Sequence, residues 1–159
     1  IILANAYFLP GRKIRKSLIH AAQRGVRVRL LLQGRYEYFM QYHAARALYE
    51  PLLEAGVEIF EYAASFLHAK VAVIDQSWAT VGSSNMDPLS LLLAREANLV
   101  IEAAPFAKDL RQELEQAMAC HARPLDRLQH AGRAWWVKLL DHTALLLMRL
   151  LLFVNGKRY

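Results

Sequence analysis

The run LHAKVAVIDQSWATVGSSN, residues 67–85, sets a histidine and a lysine two positions apart and an aspartate five further on. After six more residues comes a Gly-Ser-Ser-Asn stretch. In an extended chain alternate side chains share a face. His68 and Lys70 therefore point one way, and Asp75, an odd number of residues from both, points the other. A neutral imidazole, with a pKa near about 6.5, can serve as nucleophile or proton shuttle. An ammonium beside it gives the nonbridging oxygens of a phosphate ester a fixed positive charge. The pair suits phosphoryl chemistry. His68, Lys70 and Asp75 are the candidate catalytic residues, with Asp75 expected to support structure or to pair with a basic group behind the sheet. Gly82 permits a tight turn, and Ser83, Ser84 and Asn85 follow it with hydroxyl, amide and backbone donors suited to an oxyanion.

The elements that must carry these groups read as an alternation of strands and helices. Residues 1–9 predict a buried strand ending at Pro10-Gly11. A helix is predicted over 12–24, with Ile14, Leu18, Ala21 and Ala22 on one face and Gly25 as its stop. Strands follow at 26–33 and 57–62, with one helix between them over 36–55 in which Pro51 is a local flaw. Two short strands, 67–75 and 79–82, a short helix at 88–94, a strand at 96–101 and a helix from Pro105 to about His121 complete the pattern. The expected fold is an α/β mixed sheet flanked by helices, without internal repeat or low-complexity tract.

A chain of 159 residues is the size of one domain. Its single cysteine, Cys120, excludes an internal disulfide framework and a Cys-rich zinc site, and reads as a buried thiol in a helix. The net charge is +6, and the first 35 residues hold eight basic side chains with no acidic one. That block favours a polyanionic partner, whether nucleic acid, anionic lipid or another phosphate ester. The chain opens on Ile1 within a strand pattern, which predicts a segment upstream.

Beyond Pro124 the composition turns leucine- and tryptophan-rich and ends in a basic tail. Lys138, Asp141, His142 and Arg149 interrupt the apolar runs along one helical stripe, and no uninterrupted run reaches the roughly 20 residues a spanning helix needs. The pattern predicts an amphipathic helix lying in a membrane interface, with Trp135 and Trp136 near the headgroups. Residues 1–123 are thus expected to form the catalytic domain and 124–159 an amphipathic tail.

His68, Lys70, Asp75, Gly82, Ser83 and Asn85 match the signature of the phospholipase D superfamily. The strings ANAYFLPG, AAQRGVRVRLLLQG, LLEAGVEIFEY, LHAKVAVID, WATVGSSNMDPLSL and EANLVI together resemble the second half of bacterial cardiolipin synthases, most like the type B branch. The resemblance implies a phospholipase D-like fold and a metal-free, cofactor-free phosphatidyl transfer in two steps. One motif histidine attacks phosphorus to form a phosphohistidine, and a second protonates the leaving alcohol. It also implies that Glu96, 28 residues after His68, bonds the nucleophile's other ring nitrogen; the Asn usual two positions before it is here Ala94. The implied substrates are phosphatidylglycerol, with phosphatidylethanolamine as an alternative donor, at the bacterial inner (cytoplasmic) membrane, to which the protein would bind peripherally.

The scheme needs two motif histidines. His20, His43, His121, His130 and His142 lack the His-x-Lys context and read as surface or helix-face residues. The second site is therefore expected from an N-terminal half carrying another motif, or from a second copy of this chain. A different class of function, a single-motif phosphodiesterase or endonuclease working as a homodimer on DNA, fits the size and charge as well.

Overall fold

A computed structural model describes residues 1–154; the basic end of the tail, Lys157 and Arg158, lies outside the described residues. Strands β1 (Ile2–Asn5), β2 (Arg29–Gln33) and β3 (Glu58–Tyr62) run parallel. Strands β4 (Lys70–Ile74), β5 (Trp78–Gly82), β6 (Asn98–Ile101) and β7 (Ala122–Pro124) join antiparallel to their neighbours, in the order β6-β5-β4-β1-β2-β3-β7. The mixed sheet expected from the sequence is this one. Parallel neighbours need long crossovers, and the chain supplies α1 (Arg12–Gln23) between β1 and β2. Between β2 and β3 it supplies α2 (Phe39–Arg46) and α3 (Tyr49–Glu54).

Both faces of the central strands are covered, which is why they read as nearly continuous apolar runs. On one face Leu3, Leu30, Leu32 and Ile59 pack with Leu18 and Ala21 of α1 and Tyr49, Leu52 and Leu53 of α3. On the other, Ile2, Ala4, Leu31, Val73 and Ala79 pack against Ala107, Leu114 and Met118 of α5 (Ala104–His121).

The structure differs from the sequence reading in several elements. The helix expected over 36–55 is two helices, broken at Ala47 and Leu48. Pro51 is the reason: it has no N–H for the carbonyl of Ala47, four residues back, and its ring crowds that oxygen. The strand expected over 1–9 ends at Asn5, with only a bridge from Phe8 to Met86 beyond it. Cys120 is exposed, on the outer side of α5.

The boundary expected at 123/124 falls inside β7, which extends the sheet at the β3 edge. After α6 (Arg127–Ala131) comes α7 (Trp135–Val154), which packs along α2 through Ala144, Leu145 and Met148 against Leu9, Ala44 and Leu48. Part of its polar stripe faces inward rather than to solvent. Asp141 is 0% exposed, bonded to His43 Nδ1 and to Arg133 Nη1, each at 2.7 Å, and Lys138 pairs with Glu50 at 3.7 Å. Two histidines read as surface or helix-face residues are therefore packed inside: His43 in this network and His130, which is 3% exposed. Burial and the Arg133 guanidinium push His130 down to about 4. Arg133 donates to its Nε2, so the ring is neutral and accepts there.

Candidate active site

Lys70 opens β4 and His68 lies just before the strand, in a segment that Ala6 N–H holds at Ala69 O (3.0 Å). The two side chains meet, with Lys70 Nζ 3.1 Å from His68 Nε2. An ammonium only donates, so Nε2 accepts and keeps its lone pair on the Lys70 side, leaving the ring proton on Nδ1. That is the tautomer in which Nε2 can attack. The shared face read from the sequence thus becomes a direct contact.

The charges of three carboxylates, Glu96, Asp87 and Glu37, favour the charged form of the Lys70 ammonium. Partial burial opposes them more strongly, and the net effect holds the Lys70 pKa below the ordinary lysine value. A cavity of about 160 Å³ borders this cluster, lined in part by Asn5, Lys70, Ser84 and Asn98.

The Gly-Ser-Ser-Asn stretch is built into the frame of the site. Gly82 ends β5 opposite Asn98, where a Cβ would come within 1.9 Å of Asn98 Oδ1 and 2.5 Å of Ala97 O. Close approach, not a tight turn, is what demands glycine here. Ser83 N donates to Ala97 O (3.0 Å), and Ser83 Oγ accepts from Ala97 N (3.0 Å). Ser84 Oγ accepts from Asn98 Nδ2 at 2.6 Å, and Asn85 Oδ1 accepts from Tyr7 N at 3.4 Å. These groups tie the loop to β6 and to the segment after β1.

Glu96 sits in the loop before β6, not on a strand. Its described partners are hydroxyls: Ser83, and Ser90, whose Oγ donates to Oε1 at 2.5 Å. Those two bonds hold its carboxyl below the usual range. Glu96 therefore meets Lys70 through its field, and His68 is bonded to Lys70 rather than to Glu96. Asp75 stands apart from the cluster. It occupies the β4–β5 turn with φ 54°, a left-handed conformation that Asp tolerates better than most residues. It lies about 16 Å along β4 from Lys70, at roughly 3.3 Å per residue. Its backbone carbonyl accepts from Arg111 Nη1 at 2.9 Å.

Sequence reasoning passed over Asp87, Ser90, Asn5 and Glu37. Asp87 caps α4 (Pro88–Leu92), its Oδ1 accepting from Leu89 N (2.8 Å) and Ser90 N (3.0 Å). Asp before Pro was a legible helix start. Ser90 Oγ also accepts from Asn85 N at 2.9 Å, so α4 clamps both ends of the loop. Asn5, polar and buried in β1, accepts from Met86 N at 3.0 Å. Glu37 accepts from the Tyr7 hydroxyl at 2.8 Å, and burial together with that carboxylate pushes the Tyr7 pKa up. Among the described residues no group of three or more His, Cys, Asp or Glu is placed to hold a metal ion.

Comparison with known proteins gives these likenesses. The family described as "Cardiolipin synthase, PLD-like domain" matches residues 1–118. Cardiolipin synthase B of Escherichia coli K12 is 45% identical over 136 residues, covering 86% of this chain and 33% of that protein. Cardiolipin synthase of Geobacillus thermodenitrificans is 36% identical over 151 residues, covering 95% of this chain and 30% of the relative. The chain spans about a third of the length of the curated relatives it matches. Among solved structures, the phospholipase D family member Nuc from Salmonella typhimurium superposes with TM-score 0.65 at 20% identity, over 77% of this chain and 79% of that one. Phosphatidylserine synthase of Haemophilus influenzae gives TM-score 0.65 at 13% identity, over 98% and 39%. These two share the fold.

Proposed function

This chain belongs to the phospholipase D-like family of cardiolipin synthases, and from that premise we propose that it supplies one motif half of a phosphatidyltransferase. The observation that carries the reading is the contact of Lys70 Nζ with His68 Nε2. It sets a nucleophilic nitrogen and a positive charge side by side, so that a phosphodiester drawing the Lys70 N–H to a nonbridging oxygen frees the Nε2 lone pair to attack. His68 Nε2 attacks phosphorus; a P–N bond forms as the bond to the leaving alcohol breaks. Lys70 neutralises charge on the nonbridging oxygens. A second histidine, from outside this chain, gives the alkoxide its proton and later takes the proton of the incoming alcohol. That alcohol, the headgroup hydroxyl of phosphatidylglycerol, forms the new P–O bond, the P–N bond breaks, and His68 is regenerated. With phosphatidylglycerol as both substrates the products are cardiolipin and glycerol. Phosphatidylethanolamine as donor would release ethanolamine instead. Each proton transfer is worth roughly 10²–10⁴-fold.

Ser83, Ser84, Asn85, Gly82 and Glu96 support the site in this reading, by holding the loop beside Lys70 and by keeping the ammonium charged. Asp75 secures the far end of β4. The second motif comes from the rest of a longer polypeptide or from a second copy of the chain; the span of about a third of the curated relatives favours the first. The protein acts peripherally at the bacterial inner membrane. No helix among the described residues is long and apolar enough to cross a membrane. Instead Trp135, Trp136, Leu139, Leu146, Leu150 and Phe153 form an exposed apolar face along α7, suited to the interface.

Full-length protein incubated with phosphatidylglycerol in detergent is expected to form cardiolipin. His68→Ala is expected to lower the rate by about 10⁴-fold or more, as loss of a nucleophile does, and synthesis retained by that variant would sink the assignment. A homodimeric phosphodiesterase acting on DNA is the second reading, favoured by the net charge of +6 and the basic block in the first 35 residues. Cleavage of DNA, with no cardiolipin formed, would select it.

A further inference from the structure

A cavity larger than the one at the Lys70 cluster lies near it. About 640 Å³ lies between α2, α4 and α7, within the range of small-molecule sites. Its wall is apolar: Phe39 and Met40 from α2, Leu89 and Leu93 from α4 and its end, Met148 and Leu152 from α7. Tyr7 lines one end, and Tyr7 is bonded to Asn85 in the motif loop and to Glu37, whose charge acts on Lys70. Helix α4 serves both places. Ser90 faces inward to Asn85 and Glu96, whereas Leu89 and Leu93, four apart on the helix, line the groove. At the other end Met148 and Leu152 belong to the helix whose outward face is exposed leucine, tryptophan and phenylalanine.

We propose that this groove between α2, α4 and α7 holds one acyl chain of the phospholipid whose phosphate is presented to Lys70. The inference rests on the phosphatidyltransferase reading and deepens it. Three observations select an acyl chain over other apolar occupants. One end of the groove is Tyr7, which is bonded to Asn85 of the motif loop, so the groove ends near the phosphate site, as a glycerophospholipid requires of the path from headgroup to tail. It opens beside the exposed apolar face of α7, from which a lipid would enter. Its long walls are aliphatic and aromatic with few polar groups, whereas a peptide would need partners for its own N–H and C=O groups. Each methylene taken out of water strengthens binding by about fourfold, so the groove would favour long chains steeply. It would also fix the lipid's register, setting the phosphate rather than the glycerol backbone at His68.

The test uses full-length protein and monomeric phosphatidylglycerol carrying a diazirine at the end of one acyl chain. Photolysis and peptide mass spectrometry then map the adducts. Adducts are expected on residues 38–41, 89–93 and 148–152. Leu93, already exposed, tolerates a charge without core disruption, and Leu93→Glu is expected to cut groove labelling at least tenfold. The same variant is expected to lower the ratio of kcat/KM for dioleoyl over dihexanoyl substrate at least tenfold. Leu146→Glu, on the outward face, is expected to weaken vesicle adsorption while groove labelling persists. Adducts confined to the outward face of α7, or an unchanged chain-length ratio in Leu93→Glu, overturn the proposal. A second copy's α7 filling the groove would leave residues 38–41 and 89–93 unlabelled, with labelling appearing only on dilution to monomer, which also overturns it. Failure of the catalytic reading looks different: His68→Ala would keep its turnover whatever the labelling pattern.

Discussion

Lys70 is the residue on which the chemistry turns, and its environment makes a statement about pH. Burial lowers its pKa, and Glu96, Asp87 and Glu37 offset that only in part. A lysine with a lowered pKa loses its proton, and its hold on the phosphate, at a pH below the ordinary value of about 10.4. The alkaline limb of the kcat/KM profile is therefore expected below that value. Lys70→Arg, whose guanidinium stays charged, is expected to move the limb upward even if the rate falls. A limb that stays in place in Lys70→Arg would assign it to another group. Gly82 belongs to the same scale. Because a Cβ there would strike the Ala97 carbonyl as well as the flexible Asn98 side chain, β6 itself must shift. Gly82→Ala is expected to destabilise the protein by about 1–3 kcal/mol and to raise KM by loosening the Ser83–Ala97 pairing, as read from urea unfolding and steady-state kinetics.

At the scale of elements, short segments do the positioning. The loop after β5 is held by β6 through Ala97 and Asn98 and by α4 through Ser90. The pairing of α2 with α7 is the other decisive arrangement. Asp141 is fully enclosed and answers two cationic or hydrogen-bonding partners, His43 and Arg133. Removing one member of a buried pair strands its partners, at a cost of about 3–5 kcal/mol. Asp141→Ala is expected to lower stability by that order and to release α7 from α2, seen as faster amide exchange across both helices. Unchanged exchange would mean that the Leu145 and Met148 packing alone holds α7.

For the whole molecule, the arrangement of α7 turns an amphipathic helix inside out relative to the usual surface helix. Its Asp141 faces the domain beside Leu145, Met148 and Leu152, and Leu139, Leu146 and Leu150 face outward. Such a helix presents to the outside the surface that a bilayer interface accepts. Replacing Trp136, Leu146 and Leu150 together by serine is expected to reduce partitioning to phosphatidylglycerol vesicles more than tenfold, measured by sedimentation. Thermal stability should change little, because these three side chains are exposed at 60%, 66% and 54%. Equal partitioning would refute the interfacial role.

The sequence by itself determined the local parts. His68 and Lys70 meet because two residues apart in an extended segment is one face, whatever the rest of the chain does. The parallel strands and their crossover helices were legible because a sheet covered on both faces leaves continuous apolar runs. Pro51 was visible as a flaw, though its consequence, two helices instead of one, needed the geometry. Only the tertiary structure decided which distant groups complete each other. His43 and Asp141 are 98 residues apart, and no periodicity links them. Glu96 found Ser83 and Ser90 because the β5–β6 pairing delivers it there, and Asp75 left the site because the chain reverses at that residue. Short-range spacing is fixed by backbone geometry, whereas long-range pairing depends on which elements pack together, and that is set by the burial of whole faces.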